Sequence, residues 1–148
     1  MMIRPACRSD IPAMAGLLAE LFSIEDDFTS DGEKQYAALA MLIDDPNAIV
    51  SVAEIENTVA GMISIQRLIS TATGDYVGLI EDMIVSQRFR GQKIGSALLH
   101  SAINEAVSRS WKRFSLGADV RNTGALAFYE RHGFVGSHLH LMYFFPST

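Results

Sequence analysis

Between Leu79 and Leu99 the chain sets two carboxylates, Glu81 and Asp82, ahead of three cationic side chains, Arg88, Arg90 and Lys93, and two glycines, Gly91 and Gly95. A carboxylate can take a proton from a reacting group. The basic run can hold an anion, because a helix start leaves backbone N–H groups unpaired and partly positive, and glycines let a phosphate come close to the backbone. The apolar positions Ile94, Ala97, Leu98 and Ala102 follow at helical spacing, so the glycines fall where a turn becomes a helix. The same residues also suit an ordinary strand-to-helix turn with a solvated basic face. Two familiar phosphate loops are excluded: no lysine stands between Gly95 and Ser96 as a Walker loop requires, and Gly-x-Gly-x-x-Gly is absent.

The elements that must position these groups can be read from periodicity. Leu79 to Val85 is rich in branched apolar residues and reads as a largely buried strand, on which Glu81 and Asp82 point to opposite faces. Upstream, Ile3 to Cys7 reads as a first strand. Ser9 or Asp10 can cap a helix with Pro12 in its first turn and an apolar stripe of Ile11, Met14, Leu18, Leu21 and Phe22. Ser23 to Gly32 breaks that pattern and reads as a connector; a second helix runs from about Glu33 to Ile43 with Tyr36, Leu39, Ala40 and Ile43 on its apolar side. Ala48 to Ile55 and Thr58 to Leu68 alternate as strands about a turn at Glu56-Asn57, and Ser70 to Asp75 is another turn. A helix from Ile94 to Ser108, a strand from Lys112 to Asp119, a helix from Asn122 to about His132 stopped by Gly133, and a closing strand from Phe134 to Phe145 complete the chain. The strand-helix-strand run from Leu79 to Asp119 calls for a right-handed crossover and locally parallel strands, so the sheet is mixed.

Composition narrows the function. The 148 residues suit one domain over residues 1–148, and 49% hydrophobic residues point to a packed globule. No apolar run reaches the ~18 residues of a membrane span, and Met1-Met2-Ile3-Arg4 opens into strand-like sequence with no signal peptide, so a cytoplasmic protein without membrane partners is expected. A net charge of -5 argues against nucleic-acid binding and makes the Arg88 to Lys93 cluster a local exception suited to a small anion. The lone Cys7 reads as a small, partly buried hydrophobe, and Trp111 as a packing residue. His138 and His140 share a strand face but lack a third ligand, so no metal is expected.

Two motifs carry a family resemblance. Arg90-Gly91-Gln92-Lys93-Ile94-Gly95 resembles the acyl-CoA pyrophosphate loop of the GNAT superfamily of N-acetyltransferases, Arg/Gln-x-x-Gly-x-Gly/Ala, with Lys93 where glycine is usual. Lysine keeps its backbone N–H, so phosphate binding survives the exchange if Lys93 has helical rather than positive φ. Asn122-Thr123-Gly124-Ala125-Leu126-Ala127-Phe128-Tyr129, ending at Gly133-Phe134, is similar to the family's second signature, Asn-x-x-Ala-x-x-Phe-Tyr-x-x-x-Gly-Phe. With the opening Ile3-Arg4-Pro5-Ala6, the resemblance spans nearly the whole chain.

The resemblance implies a GNAT-type three-layer α/β (α+β) fold, with a mixed, mostly antiparallel sheet of six to seven strands flanked by about four helices. It implies acetyl-CoA as cosubstrate, held by the backbone of Met83, Ile84 and Val85 and by the loop through Gln92 to Ser96, with Asn122, Ala125 and Tyr129 as further cofactor contacts. It also implies that the strands on either side of the Ile94 helix splay apart beneath the loop. The implied reaction is direct transfer of acetyl to a primary amine in a ternary complex, with Glu81 as base, alone or through a water, Tyr129 as acid for the leaving thiolate, and Asp82 as runner-up base. Glu81-Asp82-Met83-Ile84-Val85 is similar to diamine and polyamine acetyltransferases, and Glu25, Asp26 and Asp27 could help draw in a cationic acceptor. A homodimer is the family habit. Acetylation of peptide or protein amines, a non-catalytic acyl-CoA-binding module and a nucleotide-binding domain are the other readings.

Overall fold

The computed structural model describes residues 1–24 and 32–147. The elements run β1 (Met2–Pro5), α1 (Ile11–Ile24), α2 (Gly32–Asp44), β2 (Ala48–Ile55), β3 (Thr58–Ser70), β4 (Asp75–Val85), α3 (Ile94–Ser108), β5 (Phe114–Leu116) and α4 (Thr123–Arg131). They divide into two compact units, Met1–Leu116 and Gly117–Thr148, and each is treated separately below.

The first unit is built on one mixed sheet in the order β1-β2-β3-β4-β5. Its first four strands are antiparallel neighbours, and β5 joins β4 in parallel after the α3 crossover. Strand alternation divides the apolar residues between two faces. Val50, Val52, Met62 and Ile84 meet Ile11, Met14, Leu17 and Leu18 of α1 and Leu39 of α2. On the opposite parity lie Ile49, Ala53, Ile63, Ile65 and Ile80, all buried, and α3 contributes buried Ile94, Leu98, Leu99 and Ala102. At Gly61 a Cβ would stand 2.9 Å from Leu98 Cδ1 and 3.0 Å from the Ile84 carbonyl oxygen, so only glycine lets α3 come this close.

Local chemistry explains the ends of these elements. The β2–β3 hairpin turns through Glu56 (φ 48°) and Asn57 (φ 62°), the doubly left-handed turn that matches strand twist. Ahead of α1 a short 3₁₀ turn, Arg8–Asp10, intervenes, and the Asp10 carboxylate accepts the Cys7 backbone N–H at 2.8 Å. Asp10 is also bound by Arg4 through both guanidinium branches, at 2.8 and 2.9 Å. That ion pair holds the Asp10 carboxyl down to about 2, from an ordinary 3.8. A carboxylate whose folded value is depressed stabilises the fold above its unfolded value and loses that contribution as pH falls through the folded one. With an Asp10 side chain only 7% exposed, Asp10→Asn is expected to cost roughly 2 kcal/mol at neutral pH. Urea unfolding should show the stability difference between wild type and variant closing as pH falls from about 4 to 2.

Several expectations are corrected. Among the described residues the sheet has five strands rather than six or seven: residues 134–147 form no ladder, and β5 extends only over Phe114–Leu116 instead of Lys112 to Asp119. Apolar content alone suggested that last strand, but strand structure needs a partner edge. Tyr36 is 45% exposed and stays out of the packed cluster that takes in Leu39, Ala40 and Ile43, since a phenol keeps its hydroxyl wet at little cost. Cys7 is exposed, and its Sγ lies 3.0 Å from Ser9 Oγ and 3.3 Å from Asp10 Oδ2, as part of the cap. Trp111 is buried, as its packing role requires.

Candidate active site

In the first unit the candidate site is centred on β4 and the turn that follows it. Pairing with β3 runs Gly61↔Val85, Met62↔Ile84, Ile63↔Met83 and Ser64↔Asp82, then resumes at Ile65↔Ile80. Glu81 is therefore the extra residue of a β-bulge, with no opposite number in β3. A bulge interrupts the ladder and re-aims side chains, so the strict opposition of Glu81 and Asp82 expected from a regular strand does not hold. Pairing places Asp82 opposite Ser64, half-buried, while Glu81 is exposed.

Pairing on the other side of β4 ends at the same level. β5 meets β4 at Gly78, Leu79 and Ile80 only, so β4 continues from Glu81 to Val85 without a β5 partner. The Ser86 N–H donates to the Ala60 carbonyl at 2.8 Å. Backbone groups of an antiparallel strand alternate in direction, which turns those of Val85 and Met83 away from β3, toward the side that β5 has left. This open edge is of the kind to which an extended amide chain can add. One of its acceptors is engaged: Arg90 Nε donates to the Val85 carbonyl at 3.3 Å.

After Val85 the chain makes a short 3₁₀ turn, Gln87–Phe89, and then Arg90, Gly91, Gln92 and Lys93 lead into α3. The turn is tied from outside: Glu20 Oε1 on α1 accepts the Gln87 N–H at 3.2 Å. Ile94 and Gly95 open α3, with Ser96 next, and Lys93 at the N-cap makes no side-chain cap. A 15-residue helix thus presents an N-terminus without a capping oxygen, beside the Arg90 and Lys93 cations. Gly91 has φ 82° and Lys93 has φ 62°, ψ 21°. The lysine adopts the left-handed conformation that glycine takes without strain, not the helical φ expected of it. Its N–H is still present, and the cost is conformational. Lys93→Gly is expected to stabilise the protein by about 1 kcal/mol in urea unfolding, the penalty for a left-handed side-chain-bearing residue.

The second unit holds the other motif. Asn122 Oδ1 accepts the Ala125 N–H at 3.1 Å, capping α4 as its sequence position suggests. Ala125, Phe128 and Tyr129 lie on that helix. Tyr129 is half-buried; its ring meets Phe128 and Phe134 edge to face at 5.2 and 5.5 Å, and its carbonyl accepts the Phe134 N–H across the Gly133 turn (φ 91°). Nearby Asp119 is pulled to about 2 by its hydrogen bonds with Arg121, which leaves it a poor proton acceptor near neutrality.

The fold thus brings Glu81, Asp82, Met83, Ile84, Val85 and the loop to Ser96 together in one unit, and Asn122, Ala125 and Tyr129 together in the other. Glu25, Asp26 and Asp27 lie outside the described residues. Among the described residues no group of three His, Cys, Asp or Glu side chains could hold a metal, and no helix is long and apolar enough to cross a membrane. Sequence reasoning missed Glu20 and Ser64, whose hydroxyl accepts the Asp82 N–H at 3.3 Å. Ser64 did carry a signal, as a lone hydroxyl inside the apolar run Met62-Ile63-Ser64-Ile65.

Comparison with known proteins gives the family. The sequence profile of the Acetyltransferase (GNAT) family matches residues 15–134. An aminoalkylphosphonate N-acetyltransferase of Salmonella typhimurium is 32% identical over 138 residues, which cover 92% of this chain and 86% of that protein. A transcriptional regulator from Bacillus halodurans superposes with a TM-score of 0.86 at 28% identity, over 97% of this chain and 99% of that one. An aminoglycoside acetyltransferase from an uncultured soil metagenomic sample reaches a TM-score of 0.78 over 99% and 96% of the two chains; at 20% identity this shows the fold alone. The chain belongs to the GNAT family and is an acetyl-CoA-dependent N-acetyltransferase.

Proposed function

We propose that the protein transfers acetyl from acetyl-CoA to the primary amine of a small acceptor by direct attack in a ternary complex. The observation that carries this reading is the coincidence, at one level of β4, of the bulge at Glu81 and the end of β5 pairing. A carboxylate freed from the ladder stands at the start of an open backbone edge, and that edge leads to an uncapped helix N-terminus flanked by cations. These residues fit an elongated ligand with amides along its length and a pyrophosphate at one end.

When bound, the cofactor supplies an acetyl group activated as a thioester. The protein's residues do the rest. Met83 and Val85 hold the pantetheine amides as an added strand would, and the Val85 N–H polarises the acetyl carbonyl. Arg90 to Ser96 hold the pyrophosphate, and the family resemblance adds Asn122 and Ala125 as cofactor contacts. Glu81 takes the proton that an alkylammonium of pKa near ~10.4 must lose before its nitrogen can attack, directly or through a water. The new C–N bond forms, the C–S bond breaks and the Tyr129 hydroxyl protonates the departing thiolate; the nitrogen's second proton returns to the phenolate as the amide forms, and Glu81 releases its proton to solvent. On the family resemblance, the working form is a cytoplasmic homodimer.

Two acceptor classes have support. The Salmonella typhimurium relative favours an aminoalkylphosphonate. The net charge of -5 and the Glu81-Asp82 pair favour a polyamine. The test is thiol release from acetyl-CoA with an aminoalkylphosphonate, a diamine, spermidine, an aminoglycoside, an amino acid and a short peptide, each over a concentration series. Saturable release with the phosphonate or with the polyamines assigns the class; release with the peptide alone overturns the small-acceptor reading.

A further inference from the structure

We infer that Ser64 is the positioning residue for Glu81, an inference that rests on Glu81 being the base. Ser64 sits in the middle of β3, between Val50 of β2 and Asp82 of β4 in the pairing, on the face where Val50, Val52, Met62 and Ile84 meet α1 and α2. It is fully buried, at 0% exposure. A hydroxyl moved from water into such a place costs roughly 1–3 kcal/mol unless it is hydrogen-bonded, and alanine would fill the site without that cost. The hydroxyl accepts the backbone N–H of Asp82 at 3.3 Å.

The position of that bond gives it its meaning. Asp82 is the residue just after the unpaired Glu81, where the register slips by one. The slip itself is demanded by the apolar pattern: a regular continuation would set Glu81 opposite buried Ile65 and turn Ile80 to the other face. That demand leaves open how the extra residue is accommodated, because a bulge can share its distortion among neighbouring peptides. By capturing the Asp82 N–H, the Ser64 side chain fixes the peptide that joins Glu81 to Asp82, and with it the direction in which the Glu81 carboxylate leaves the strand.

Ser64→Thr and Ser64→Val add nearly the same volume to the buried site and differ in the hydroxyl, so their comparison isolates it. We expect Ser64→Val to turn over about tenfold more slowly than Ser64→Thr, the scale of a misplaced catalytic group, at matched melting temperature and unchanged KM for acetyl-CoA. The assay uses acetyl-CoA with the amine that gives the greatest thiol release in the acceptor panel. Amide hydrogen exchange in the free protein gives a readout independent of turnover: the Asp82 N–H should exchange faster in Ser64→Val than in Ser64→Thr. If the added volume prevents folding in both, Ser64→Ala against wild type makes the same comparison. Equal Asp82 exchange in the two variants overturns the inference. Faster exchange with unchanged kcat also overturns it where Glu81→Gln is impaired; where Glu81→Gln is equally silent, the assignment of Glu81 as base has failed and the inference falls with it.

Discussion

Glu81→Gln is expected to lower kcat by about 10²- to 10³-fold near neutral pH, the range over which positioned general bases contribute. The variant keeps the size of the side chain and removes its ability to take a proton. Because Glu81 is exposed and outside the β3 ladder, melting temperature should stay within experimental error of wild type. The deficit should depend on pH in a defined sense. As pH approaches the ammonium value of ~10.4, free amine is supplied by the solvent and the missing base matters less, so the variant should gain on wild type as pH rises. A loss that is uniform across pH would point to a binding role for the carboxylate. If Asp82→Asn, rather than Glu81→Gln, removes turnover, the base is the half-buried neighbour paired with Ser64.

Tyr129→Phe is expected to lower kcat by about 10²-fold while the KM for acetyl-CoA changes little, the signature of an interaction made only in the transition state. Phenylalanine retains the edge-to-face contacts with Phe128 and Phe134, so α4 and the turn at Gly133 should survive the exchange. The hydroxyl matters only while the departing thiolate needs a proton. Above the thiol range, near pH ~8.5, that need fades and the variant should recover part of its rate. The two pH trends have different midpoints, so base and acid can be told apart even though both deficits shrink toward alkaline pH. A Tyr129→Phe enzyme with full activity at pH 7 would reduce Tyr129 to a packing aromatic.

Most of the scaffold was legible because it rests on local rules. The helix expected over Ile94 to Ser108 has those bounds, since its apolar spacing starts directly after the glycines and fades by Ser108. The hairpin at Glu56-Asn57 and the cap at Asn122 follow from turn and cap chemistry. The features that shape the site are less local. The bulge at Glu81 is invisible in Leu79 to Val85 alone, because it depends on which β3 residue lies opposite each position. Lys93 is a poor left-handed residue by propensity, and the loop imposes that conformation on it. Glu20 meets Gln87 across 67 positions of sequence, a pairing no window could contain. The expected strand at Phe134 to Phe145 failed in the opposite way: its composition suits a strand, and no strand among the described residues pairs with it.

The central claim is direct transfer from acetyl-CoA to an amine while both are bound. Initial rates of thiol release, measured over a grid of acetyl-CoA and amine concentrations with acetylated amine quantified in the same samples, test it most directly. The account predicts intersecting reciprocal plots, one acetylated amine per thiol released, and no acetyl left on the protein when amine is omitted. Parallel plots with an acetylated protein would contradict direct transfer, and saturable acetyl-CoA binding without thiol release on any amine would contradict the enzyme altogether.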